Sequence, residues 1–297
     1  VISPWTKGGR VCSELYDHTS LIRFMEEWCV QAQGLPRTSV QCPNISPWRR
    51  AVCGDMTRAF NFATPNTDWV SSIPRTATYF KGWGSADALP PANQILPKQE
   101  TTNTTFPRAA CPLPYRPIVD GAMTGTAKQY ALNFANTGSA ASAFLVYSKR
   151  RSDGPWHYTV EADKRIDNEI FNWTGTDYHL AVHSNNGYLR EFAGRFGNVS
   201  RGAEVSIMED PAARAIRISV KNNSTAACRF KLIDHAYGDH TIYSFDTLVG
   251  ETKTMVKALD SSQGWYDLGV SIEGDANYLR RFAGHIEGAG LDFTDPV

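Results

Sequence analysis

The sequence predicts a mixed fold: a partly helical α/β amino-terminal segment, a proline-rich connector, and two all-β sandwich domains in tandem. Three observations predict it. Apolar residues recur at helical spacing just after residue 20, and seven of the sixteen prolines crowd between Pro90 and Pro117. An alternating apolar pattern then begins near residue 125 and returns about 86 residues later. The boundaries that follow are residues 1–83, 84–124, 125–205 and 206–292.

Val1-Ile2-Ser3-Pro4-Trp5 reads as the end of a buried strand running into a turn, without the basic and apolar regions of a signal peptide. A strand end needs upstream neighbours, so residues 1–297 are expected to be a piece of a longer polypeptide. Gly8-Gly9 gives a turn, and Asp17-His18-Thr19-Ser20 opens a helix. Thr19 or Ser20 can cap it by accepting from a free amide of the first turn. Leu21, Phe24, Met25 and Trp28 make its apolar face. Ser46-Pro47 marks a second helix start, with serine as N-cap and proline at N1, where a missing N–H costs nothing. Residues 84–124 are expected to be extended, because proline fixes φ and removes a donor.

The β region repeats itself. Tyr130, Leu132 and Phe134 alternate ahead of Asn136-Thr137-Gly138-Ser139-Ala140-Ala141, as Ile216, Ile218 and Val220 do ahead of Asn222-Asn223-Ser224-Thr225-Ala226-Ala227. Tyr178-His179-Leu180-Ala181-Val182 matches Tyr266-Asp267-Leu268-Gly269-Val270. Tyr188-Leu189-Arg190-Glu191-Phe192-Ala193-Gly194 matches Tyr278-Leu279-Arg280-Arg281-Phe282-Ala283-Gly284. Period-two alternation broken by regular turns is the pattern of an antiparallel sandwich. A unit this long is a duplicated domain, too large for a solenoid repeat. The two Phe-Ala-Gly segments are expected in corresponding strands.

Composition excludes several classes. Lys plus Arg and Asp plus Glu stand at 30 each, which gives no field for nucleic acid or an anionic bilayer. No apolar run is long enough to span a membrane as a helix. Arg49-Arg50 and Lys149-Arg150-Arg151 read as solvated loop charges. Of the six cysteines, Cys12, Cys29, Cys42 and Cys53 crowd the first part, whereas Cys111 and Cys228 stand apart. Without C-x₂₋₄-C spacing they favour disulfides in an oxidising compartment over zinc, and at least one bridge is expected among the first four. Cys228 is expected as a buried free thiol.

No P-loop, G-x-S-x-G elbow, H-E-x-x-H helix or G-x-G-x-x-G turn is present. His179 and His183 lie four apart on an expected strand, roughly 13 Å, which is too far to share a metal. Asp234-His235 and Asp239-His240 bracket Ala236-Tyr237-Gly238; the simpler reading is polar residues shaping a turn. The strongest constellation is the Asp17-His18 corner, because ligands of α/β folds collect where strands end and helices begin. The competing reading makes Asp17 a helix cap and gives His18 a buried backbone partner.

Residues 1–62, through Asp17-His18-Thr19-Ser20, Ser46-Pro47-Trp48-Arg49-Arg50 and Cys53-Gly54-Asp55, resemble the last catalytic segment of the bacterial phosphocholine-preferring phospholipases C. Pro97-Lys98-Gln99-Glu100 and Leu113-Pro114-Tyr115 resemble their linker, and the Phe-Ala-Gly repeats their tandem C-terminal domains. The resemblance implies an alkaline-phosphatase-like α/β catalytic domain that hydrolyses phosphatidylcholine or sphingomyelin. It also implies a hydroxyl nucleophile beside a divalent metal. No segment here matches the family's nucleophile or metal ligands, so no catalytic or metal residue is assigned and this chain alone is expected to be inactive. The implied partners are an upstream catalytic segment of the same protein and phosphocholine lipids, in an exported protein.

Three roles compete for the sandwiches: steadying the catalytic domain, binding lipid headgroups or glycans, and assembly. Exposed Trp and Tyr on one face would favour binding, and an apolar edge would favour assembly. Choline recognition favours aromatic faces and a carboxylate. Trp5, Tyr16 and Asp17 are therefore the candidate substrate-binding residues, against the alternative that the rings pack inward and Asp17 caps its helix.

Overall fold

A computed structural model describes residues 3–6, 10–68, 70–72, 93, 108–125, 128–197, 202–288, 290 and 292–296. The Gly8-Gly9 turn and most of the expected connector lie outside the described residues. The amino-terminal layer holds β1 (Arg10–Val11), α1 (His18–Gln33), α2 (Arg37–Val40) and α3 (Pro47–Val52). Asp17 is the N-cap of α1, two or three residues earlier than the expected Thr19 or Ser20. Ser20 instead sits at N3 and accepts from the Asp17 amide, which completes a capping box. Gly34 in the left-handed region ends the helix. Ser46 caps α3 with Pro47 in its first turn.

Arg49 and Arg50 stand on a helix rather than in a loop, Arg49 still about half exposed and Arg50 largely covered. On α3 they reach back to α1, Arg49 to Asp17 and Arg50 to both oxygens of the buried Glu26 at 2.9 Å. Glu26 also accepts from the Cys42 amide at 2.7 Å, so one carboxylate ties the α2–α3 loop to both helices. Lys149, Arg150 and Arg151 do lie in a loop, with Lys149 and Arg150 largely exposed, and meet the carboxylates of Glu191, Asp177 and Asp153.

β2 (Ala109–Ala110) pairs parallel with β1. Seven strands follow: β3 (Pro117–Met123), β4 (Gln129–Asn136), β5 (Ser142–Tyr147), β6 (Trp156–Val160), β7 (Lys164–Asn172), β8 (Asp177–His183) and β9 (Leu189–Arg195). Seven more repeat them: β10 (Ala203–Asp210), β11 (Ala215–Asn222), β12 (Cys228–Asp234), β13 (Tyr243–Thr247), β14 (Thr252–Ala258), β15 (Trp265–Ile272) and β16 (Asp275–His285). β17 (Asp292–Phe293) returns to pair with β2. In each unit the first, second and fifth strands form a small sheet that packs on a sheet of the other four. β2 and β3 fall within residues 84–124, expected to be connector. Pro117 opens an edge strand, where no ladder amide is required of it.

The expected alternation points inward. Tyr130, Leu132, Phe134, Phe144 and Leu180 fill the first core, and Ile216, Ile218, Val220, Phe230 and Leu268 the second. Each fully buried aliphatic or phenyl side chain contributes about 1.5–3 kcal/mol. The paired asparagines do the same work in both units. Asn136 donates to the carbonyls of Ala140 and Val160, and Asn222 to those of Ala226 and Thr247. Each thereby stitches the turn after the second strand to the end of the fourth.

The two four-stranded sheets fuse through antiparallel β9 and β16 into one sheet of eight strands. The pairing is two-fold: Arg190 faces Phe282, Arg280 faces Phe192, and Glu191 faces Arg281. Each repeated arginine is buried in the other unit. Arg190 donates to Ala283 O at 2.9 Å and Tyr266 Oη at 2.8 Å; Arg280 donates to Ala193 O and Tyr178 Oη, both at 2.7 Å. The glycine of each Phe-Ala-Gly segment makes this possible. Gly194 faces Tyr178 and Gly284 faces Tyr266, and a Cβ on Gly194 would lie 2.4 Å from the tyrosine oxygen. Removing the Cβ lets the ring lie over the neighbouring strand and present its hydroxyl to the incoming guanidinium.

Candidate functional site

The corner formed by Asp17, α1 and residues 53–62 is where sequence placed function. Asp17 Oδ1 accepts from the Thr19 amide at 2.8 Å and its hydroxyl at 2.6 Å, while Oδ2 takes Arg49. The Thr19 hydroxyl first, then Arg49 and the Thr19 amide, outweigh desolvation and hold its carboxyl at about 2. Tyr16 donates to Glu14 Oε2 at 2.8 Å and lies 3.2 Å from Cys12 Sγ. Burial, with Cys12 and Glu14 beside it, pushes the phenol well above its ordinary value. Trp5 is elsewhere, 6.4 Å from the Phe62 ring. The three expected residues thus have separate partners, and the charge of Asp17 is already balanced by Arg49.

What does assemble is an open apolar groove of about 810 Å³, lined by Trp5, Phe24, Trp28, Phe60 and Phe62, with Glu27 and Gln31 on its rim. Phe24 stacks on Phe60 at 4.9 Å, and Phe60 on Phe62 at 5.2 Å. Glu27 is paired with Arg37. Sequence reasoning found Phe24 and Trp28 by helical period. It missed Phe60 and Phe62, which lie in irregular chain where no period reports burial. The groove continues into a bare helix face: Leu21 is 56% exposed, Met25 57% and Trp28 53%. An amphipathic helix normally turns that stripe to a core.

The other candidates resolve into structure. His179 is buried, with Nε2 2.8 Å from Glu191 and Nδ1 accepting from the Lys149 amide, and His183 is exposed at the end of the same strand. Asp234 accepts from the Ala236 and Tyr237 amides and pairs with Lys257 at 2.9 Å, so it shapes the turn. Among the described residues no cluster of three His, Cys, Asp or Glu side chains is arranged to hold a metal ion, so none of them is placed to hold the divalent metal that the resemblance implies. No described helix is long and apolar enough to cross a membrane.

Residues 109–195 and 203–285 match the family described as bacterial phospholipase C, C-terminal domain, which covers both sandwiches. The chain belongs to the bacterial phospholipase C family. Residues 1–30, which hold most of α1, also match the phosphoesterase family. Over its full length the chain is 41% identical to a non-hemolytic phospholipase C of Burkholderia pseudomallei. It is 37% identical to a non-hemolytic and 29% identical to a hemolytic phospholipase C of Pseudomonas aeruginosa, again over the whole chain. It spans 42–44% of the length of these relatives.

Proposed function

We propose that this chain is the carboxy-terminal part of an exported phospholipase C that hydrolyses the phosphodiester of phosphatidylcholine or sphingomyelin and releases phosphocholine. Residues 1–83 complete an α/β, alkaline-phosphatase-like catalytic domain whose nucleophile and metal ligands lie upstream. The observation that carries this reading is the bare face of α1. The helix lies in the phosphoesterase match, yet Leu21, Met25 and Trp28 turn to solvent. Burying side chains such as Leu21 and Met25 is worth about 1.5–3 kcal/mol each, so the face has a strong tendency to be covered. The upstream catalytic segment is its cover.

Two features support a steadying role for the sandwiches over ligand capture or assembly. Trp173 and Trp265 are buried, and the exposed Tyr147 and Tyr243 belong to different sandwiches rather than to one face. The β9 and β16 edges, which would otherwise be open to a partner, are spent on each other.

The test compares Met25→Asp in this chain and in the full-length parent. The variant should lower the melting temperature of the parent by several degrees and leave the isolated chain within about a degree. Residues 1–297, supplied with divalent metal, should show no turnover of a chromogenic phosphocholine ester. Turnover by the chain alone, or equal destabilisation of both proteins, would overturn the reading.

A further inference from the structure

We infer that Cys12 and Cys111 form a disulfide that staples the amino-terminal layer to the strand leading into the first sandwich. The pair stands on backbone register. β1 and β2 run parallel with Arg10 opposite Ala109 and Val11 opposite Ala110, and a cysteine comes next on each. The Cys111 amide donates to Val11 O at 2.8 Å, so the pairing extends one residue past the strands. Neighbouring strands lie about 5 Å apart, inside the roughly 4.4–6.8 Å Cα separation that a disulfide spans. In-register neighbours point to the same side. The two side chains are accordingly neighbours, close enough for Cys12 to act on the Cys111 thiol.

The surroundings suit the bridge. Burial first, and then the neighbouring Cys12, push the Cys111 thiol up, so the bridge, which carries no charge, suits this half-buried place better than a thiolate would. Losing the Cys12 hydrogen strands no group, because Tyr16 already donates to Glu14. The remaining buried cysteines face other chemistry: Cys53 lies beside Asp17, and Cys228 lies 3.5 Å from Ser224 Oγ.

In the reaction both S–H bonds are lost and one S–S bond forms. Two electrons go to a disulfide oxidant through a mixed disulfide, its S–S bond breaks, and the two protons end on the two thiols it releases. The result closes a loop of about 100 residues, the long kind for which a cross-link most restricts the unfolded chain. It fixes the layer to the sandwiches covalently, whether or not the parent hydrolyses phosphocholine lipids.

The test is peptide mapping of the purified chain after oxidation with glutathione disulfide and alkylation at acidic pH. Trypsin places Cys12 on residues 11–23 and Cys111 on residues 109–128. The expected product is these two peptides joined, separating on reduction. Cys12→Ser, Cys111→Ser and the double variant should melt alike, several degrees below the oxidised protein, with dithiothreitol bringing the wild type down to them. Alkylation of both thiols in the oxidised protein, or linkage of either to another cysteine, would overturn the proposal. The mapping decides even where a variant fails to fold.

Discussion

Asp17 combines two interactions that substitution can separate. Asparagine caps a helix about as well as aspartate but carries no charge for Arg49. Asp17→Asn should therefore cost under about 1 kcal/mol, the range of an exposed ion pair, and Asp17→Ala about 1–2 kcal/mol, with the cap gone as well. The carboxyl is depressed to about 2, so its contribution is complete above about pH 4 and disappears as pH falls through about 2. Urea titrations of wild type and Asp17→Asn at several pH values check this; a difference that grows on acidification would refute it. In the full-length parent, Asp17→Asn should change KM equally for a phosphocholine ester and a neutral phosphodiester. A rise confined to the choline ester would restore Asp17 to a substrate wall. The residue types at this corner were legible in sequence, but their partners were not. Arg49 lies 32 positions away, and no spacing rule connects an N-cap to a helix that packs against it later.

A two-residue strand such as β17 needs more than ladder bonds to stay in place. Trp265 Nε1 donates to Phe293 O at 3.0 Å, and the His285 ring stands 3.5 Å from Asp292 and 3.1 Å from Glu287. Arg214 lies 3.8 Å from Asp292, and Glu287 also accepts from the Leu113 amide and Asn186. One carboxylate thus joins the connector, the first sandwich and the end of β16. Burial disfavours a charged imidazole, but Glu287 and Asp292 outweigh it and raise His285 above its ordinary value. Its stabilisation is then complete below about pH 6.5 and is lost as pH rises through the raised value. The melting-temperature gap between wild type and His285→Gln should be widest below about pH 6.5 and narrow as pH rises through the raised value. Over the same range, exchange of the Thr294 amide, bonded to Arg108 O, should accelerate beyond its intrinsic rate. A gap independent of pH would leave His285 a packing residue only. Elements differed in how far sequence disclosed them. α1 was readable from its period, but a period cannot say whether the apolar face is covered. β3 was hidden because prolines that suggest a connector are equally at home on an edge strand.

The duplication was legible as repeated words, and the strand order repeats with them, but sequence could not say what the shared arginine does. An arginine between apolar residues on a strand reads as an outward charge. Here Arg280 leaves its own sandwich and lies among Tyr130, Tyr178 and Phe192 of the first, with Tyr278 from its own. Arg190 makes the reverse crossing and lies over Tyr188, Tyr266 and Phe282. The two differ in one respect: Arg190 has Glu209 at 3.5 Å, whereas no ion pair to Arg280 forms among the described residues. Its charge is held by ring faces, two backbone carbonyls and the Tyr178 hydroxyl. Desolvated cation–π contacts and charged hydrogen bonds of this kind set the loss on Arg280→Ala at about 2–4 kcal/mol. Because the cage belongs mostly to the first sandwich, the loss should appear there. Amide exchange in β4 and β8 should accelerate at least as much as in β16, and calorimetry should still show one transition for both sandwiches. Arg280→Lys should recover little, since an ammonium cannot span the Ala193 carbonyl and Tyr178 as the planar guanidinium does. Exchange confined to β15 and β16, or two separated transitions in the wild type, would show that each sandwich stands alone and that the crossed arginines only decorate their seam.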